Sequence, residues 1–169
     1  MKKTITTVAM ITMLATSTIT NAQKFGHLNS NELIMLMPER AQAQKDLEAY
    51  TKDLEAQLKS MDDDYKAKVA DYQAKEATMT DAIKKTKVKE VTDLEARIKE
   101  FQGTAQTELR KKENDLMKPI IDKAKKAIDD VTKANKYTYI FETSQGGLLS
   151  KPDGDNVMPL VKKKLGITN

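Results

Sequence analysis

KDLEAYTKDLEAQLKSMDDDYKAKVADYQAK, residues 45–75, sets its apolar side chains on a strict spacing. Leu47, Tyr50 and Leu54 recur eleven residues later as Leu58, Met61 and Tyr65, and Val69 and Tyr72 begin a third round. Eleven residues over three turns is about 3.67 per turn, so such a row runs nearly parallel to a helix axis, with a slight right-handed drift. The positions between are Lys, Glu, Asp, Gln and Ala, which favour helix and solvation. A second segment repeats the pattern. Ile98, Leu109, Ile120 and Val131 stand eleven apart, and Leu94, Ala105, Leu116 and Ala127 form a second row at the same spacing. Two long amphipathic helices packed on one another are the expected arrangement.

The turn between them is expected near residues 78–82. Thr80 is a good N-cap, Asp81 suits the positive end of a helix, and Ile83 and Val88 restart the apolar pattern. Pro38 and Pro119 lie almost equally far from that turn and read as the two ends of the hairpin's base, since proline starts a helix or interrupts one. The hairpin arm is thus residues 40–118, and its outgoing half would be about 58 Å long at 1.5 Å per residue. Gly103, midway down the return helix, costs roughly 1 kcal/mol against alanine and offers a point of weakness.

Both ends of the chain read differently from the arm. Lys24-Phe25-Gly26-His27-Leu28-Asn29 suits a short strand, followed by a helix capped by Asn29 or Ser30. Tyr137-Thr138-Tyr139-Ile140-Phe141 is a strand by propensity. Leu148-Leu149 is placed to pair back on it, and Pro159–Leu165 suits a closing helix that stops at Gly166. The expected fold is mainly α with a small β-body: residues 23–39 and 119–169 form the body, from which the antiparallel helical hairpin projects. Strands so few and short are marginal alone, and the chain has no cysteine for disulfides, so several copies are expected to associate.

Residues 1–22 read as a signal peptide: Met1-Lys2-Lys3, a threonine-diluted apolar run from Val8 to Ile19, and small residues before cleavage after Ala22. That run is too short and broken to span a bilayer comfortably. Without Lys2 and Lys3 the charge is 27 basic against 25 acidic residues, a net of +2. Export and near-balanced charge both speak against nucleic acid as a partner.

No catalytic set is present. His27 is the sole histidine and reads as structural, cysteine is absent, and no serine sits in a nucleophile elbow. Asp62-Asp63-Asp64 are helix neighbours that do not face one another. Asp153-Gly154-Asp155-Asn156 lacks the spacing and the closing glutamate of a calcium loop. The expectation is a non-enzyme with no metal and no cofactor.

The stretches KFGHLNSNELIMLMPE (24–39) and LMKPIIDKAKKAIDDVTKANKYTYIFE (116–142), set around a long charged hairpin, resemble the Skp/OmpH family of periplasmic chaperones. The best matches are Pro38-Glu39, Pro119-Ile120-Ile121 and the strand Tyr137 to Phe141, and the likeness covers essentially the whole mature chain. The resemblance implies a periplasmic homotrimer with a β-body and three arms around a cavity, which holds unfolded outer-membrane proteins without ATP. A holdase binds many sequences weakly, so it needs a broad adaptable surface. Met61 and Met79, with Tyr65 and Tyr72, are candidate client contacts, although stripe positions more often seal a seam. Lys84, Lys85, Lys87 and Lys89 near the tip are candidates for acidic clients, anionic lipid or a membrane surface. Lys162-Lys163-Lys164 reads as the charge complement of a helix C-terminus. The competing reading is a structural or adaptor coiled coil of the cell envelope, which would not need strands at both chain ends.

Overall fold

A computed structural model describes residues 23–146, 148, 150 and 155–167. The leader expected at 1–22, Leu149, residues 151–152 and the first two residues of the Asp153–Asn156 stretch lie outside them. In chain order the elements are strand β1 (Phe25–Leu28), helix α1 (Ser30–Leu36), helix α2 (Pro38–Lys75), a 3₁₀ turn (Glu76–Thr78), helix α3 (Asp81–Ala134), strand β2 (Tyr139–Glu142) and helix α4 (Met158–Leu165).

Local chemistry sets the helix ends. The Asn29 side chain accepts the Glu32 N–H at 3.0 Å and caps α1. Pro38 opens α2, where its missing N–H would have been unsatisfied in any case. The 38 residues of α2 give a rod about 57 Å long. After Lys75 the chain tightens into the 3₁₀ turn, and the Met79 N–H donates to the Glu76 carbonyl at 3.3 Å. Thr80 then caps α3, its hydroxyl accepting the Ile83 N–H at 3.4 Å.

Helix α3 returns antiparallel to α2, and the eleven-residue rows lie in the seam. Leu47, Tyr50, Leu54, Leu58, Met61, Tyr65, Val69 and Tyr72 are half-buried on α2. Leu94, Ile98, Ile120, Ala127 and Val131 are buried on α3, with Ala105, Leu109 and Leu116 half-buried.

Pro119 does not end the return helix. It lies inside α3, which runs on unbroken for four further turns to Ala134. One proline removes one backbone hydrogen bond. Here the flanking turns are fixed by packing, with Ile120, Ala124, Ala127 and Val131 all buried in the body core. The base of the arm is therefore one continuous helix on the return side and a helix start, at Pro38, on the outgoing side.

The body sheet has two strands, β1 and β2, paired parallel with Phe25 opposite Tyr139 and Leu28 opposite Glu142. The arm is the crossover between them. The pairing back of Leu148 is not seen: Leu148 carries no strand, while an isolated parallel bridge joins His27 to Asn156 on the other side of β1. Beneath the sheet lies one core of Leu28, Leu33, Met37, Ile120, Ala124, Val131, Val157 and Val161. Helix α4 closes it and ends at Gly166, whose φ of +72° is the left-handed cap conformation. No helix among the described residues is long and apolar enough to cross a membrane.

Candidate functional site

Three surfaces carry the residue types that a binding protein would use: the arm's seam, its tip and the outer face of the body sheet. Met61, Tyr65 and Tyr72 of α2 are half-buried, as is Met79 in the turn before α3. The Tyr72 hydroxyl donates to Glu76 at 3.2 Å; burial first, and then this carboxylate, holds its ionisation above the usual range. The Tyr50 hydroxyl reaches across to Glu108 at 2.9 Å, which likewise raises the phenol. Lys112 sits over the Tyr50 ring, 5.7 Å from its centre.

The tip is less basic than its sequence suggests. Lys87 pairs with Glu90 at 3.3 Å and Lys89 with Asp93 at 2.7 Å, both within α3. Lys84 and Lys85 stand outside these pairs, beside the exposed side chains of Ile83 and Val88. Across the hairpin, Asp63, Asp64 and Asp71 on α2 are engaged by Lys59, Lys68 and Lys75. The hydrogen bond from Lys75 holds the Asp71 carboxyl below its usual range, and Lys87 adds to that from the facing helix. The tip therefore presents two uncommitted lysines and two apolar side chains, flanked by paired charges.

At the root of the arm, Lys123 reaches across to Glu39, and this contact holds the Glu39 carboxyl below its usual range. Two shallow grooves, of about 150 and 300 Å³, flank the seam here and share Ala43 and Leu116 in their linings.

The body sheet carries a feature that the strand propensities alone did not reveal. Phe25, Tyr139 and Phe141 share its outer face, with ring centres 6.0 to 6.4 Å apart, and all three are exposed. Strand alternation with Phe25 in register opposite Tyr139 is the signal that finds them. His27 lies on the same face but is buried, in a cavity of about 200 Å³ that Phe141, Leu148 and Asp155 also line. Among the described residues no group of three or more His, Cys, Asp or Glu is placed to hold a metal ion. Lys164, at the end of α4, pairs with Asp130 of α3 at 2.9 Å.

A family model described as outer membrane protein (OmpH-like) matches residues 24–165, nearly the whole described chain. The chain belongs to the OmpH-like family. The OmpH-like fold is also found in the crystal structure of a candidate outer membrane chaperone (OmpH-like) from Caulobacter crescentus CB15. The TM-score is 0.74 at 12% identity, over 85% of this chain and 83% of that one. At that identity the likeness is one of fold. No curated protein matches this OmpH-like chain.

Proposed function

We propose that this OmpH-like chain is an ATP-independent holdase of the periplasm. Its arms would surround unfolded outer-membrane proteins and keep them from aggregating in transit. The observation that carries this reading is the hairpin itself: α2 extends about 57 Å from a small body into which both ends of the described chain are tied. An arm of that reach with no deep pocket suits many weak contacts to an extended chain, and such holding needs no catalytic group.

Three copies meeting through the body would surround a cavity with three arms. The exposed rings of Phe25, Tyr139 and Phe141 support association there, since a two-stranded sheet with an open aromatic face is marginal alone. Lys84 and Lys85, beside exposed Ile83 and Val88, suit anionic lipid headgroups at the arm tips. Residues 1–22 would direct export and be removed after Ala22.

The deciding experiment dilutes a urea-unfolded outer-membrane β-barrel into the mature protein and follows mass and turbidity. A soluble complex of one client with a trimer supports the reading. Unchecked aggregation with no such complex overturns it and favours an adaptor coiled coil.

A further inference from the structure

Along the arm, polar contacts hold each helix to itself rather than to its neighbour. Lys59–Asp63, Asp64–Lys68 and Asp71–Lys75 lie within α2, and Lys87–Glu90, Lys89–Asp93, Glu95–Lys99 and Lys118–Asp122 within α3. Between the root pair Glu39–Lys123 and the tip, the one side-chain hydrogen bond across the seam among the described residues is Tyr50 to Glu108.

Apolar packing is uneven in the same way. Ala43 and Ile120 are buried at the root, and Leu94 and Ile98 are buried toward the tip. Between them no residue of α3 from Lys99 to Pro119 is buried, nor any residue of α2 from Gln44 to Lys75. Gly103 stands in this stretch with nothing within 4 Å of where a Cβ would be. Few buried contacts and exposed backbone mark the segments that open first. Two shallow grooves lie beside the seam at Ala43 and Leu116, at the lower edge of this stretch.

The shaft also lacks open apolar surface. Among the described residues of the arm, the exposed large apolar side chains are Ile83 and Val88, both at the tip. A hydrophobic grip along the shaft must come from the seam.

We propose that the arm parts in its middle, with Leu47–Leu58 of α2 separating from Phe101–Leu116 of α3 about the Tyr50–Glu108 contact. The opened seam then takes apolar segments of an unfolded polypeptide, a step that rests on the holdase reading. Parting leaves every intrahelical ion pair intact, so its cost falls on half-buried apolar contacts, the Tyr50–Glu108 hydrogen bond and the Lys112–Tyr50 ring contact. It differs from bending of the whole hairpin, which leaves the seam shut.

The chain has no cysteine, so an introduced thiol is unique. In full-length mature protein, Ala105→Cys is expected to react with a thiol reagent about fivefold faster when combined with Tyr50→Phe, the factor that one lost hydrogen bond gives an opening equilibrium. Leu94→Cys serves as the buried control, and its rate should not move. Separately, Tyr50→Cys with Glu108→Cys is joined by a short bis-maleimide. The joined arm should lose most of the capacity to suppress aggregation of an unfolded β-barrel that the same double variant shows when unjoined. Equal Ala105→Cys rates with and without Tyr50→Phe, or equal client holding by joined and unjoined arms, overturns the proposal. If the wild type also holds no client, the holdase reading falls, and the labelling rates alone decide whether the arm parts.

Discussion

Gly26 of β1 passes so close beneath Val157 that a Cβ on it would stand 2.8 Å from the Val157 Cγ1 and 3.1 Å from the Tyr137 ring. Val157 is fully buried and cannot swing aside. The contact joins strand β1 to the segment that leads into helix α4. Gly26→Ala therefore overfills the core and is expected to destabilise the body by about 1–3 kcal/mol. Chemical denaturation followed by circular dichroism measures this, and an unchanged midpoint would show that the core has room to spare.

Glu142 fastens the end of β2 to the start of α1. Both of its carboxylate oxygens accept the Ser30 N–H at 3.2 Å, and one accepts the Ser144 N–H at 2.7 Å. Burial pushes the carboxyl up, but the hydrogen bonds from Ser30 and Ser144 outweigh it and hold the group below the ordinary 4.5. A carboxyl depressed in the folded state stabilises above its unfolded pKa and loses that contribution as pH falls through the folded one. Glu142→Gln should thus cost about 1 kcal/mol near neutral pH, the modest end for a bond to a solvent-exposed charge. The gap to wild type should stay constant down to about pH 4.5 and close below it. Paired urea melts across that range are the check, and a gap that persists at low pH would assign the loss to shape rather than charge.

Gly103 is the reverse case from Gly26. It sits in mid-helix with open space around it, so a methyl group meets nothing and only the helix-propensity gain remains. Gly103→Ala should stabilise the arm by about 1 kcal/mol. A rise in thermal midpoint without change in oligomer mass is the expected result, and a fall would mean that the glycine is held for a contact outside this chain.

Lys84 and Lys85 stand outside the ion pairs of the tip, whereas Lys87 and Lys89 are engaged with Glu90 and Asp93. Reversing the first two with Lys84→Glu and Lys85→Glu should weaken binding to vesicles containing anionic phospholipid by more than about tenfold, at roughly 1 kcal/mol per cation near the surface. The arm's melting should stay put, because no paired charge is lost. Flotation with neutral and anionic vesicles separates the outcomes, and equal binding of variant and wild type removes the tip from any lipid contact.

Much of this architecture is legible in residue order because its causes are local. The eleven-residue rows place Leu94 and Ile98 in the seam, Thr80 caps α3, and Gly166 ends α4 through short-range chemistry. What escapes is decided by distant residues. Pro119 reads as one end of the arm's base, yet the packing of Ile120 and Ala124 runs α3 through it without interruption. The parallel pairing of Phe25 with Tyr139 joins residues more than a hundred apart, and propensity states neither its direction nor its register. Nor does an apolar stripe say how deep each position lies: Met61, Tyr65 and Tyr72 keep the period but are only half-buried, because a two-helix arm has no third layer to cover them.

Tyr139 and Phe141 allow body assembly to be separated from body folding. Both rings are exposed on the outer face of β2, whereas Ile140 between them turns toward the core. Replacing the two by serine removes little buried surface from the single chain, so the cost to its own fold should stay within about 1 kcal/mol. In an assembly that buries this face, the same replacement removes two aromatic anchors, which at an interface centre are worth about 2 kcal/mol or more each. The double variant Tyr139→Ser with Phe141→Ser is therefore expected to keep its helical circular dichroism at micromolar concentration and to sediment as a monomer, where the wild type is expected to sediment as the proposed trimer. Arms without a common body surround no cavity, so client holding should fall with the oligomer. A variant that remains trimeric would place the assembly on another face and leave the aromatic rings to some other partner.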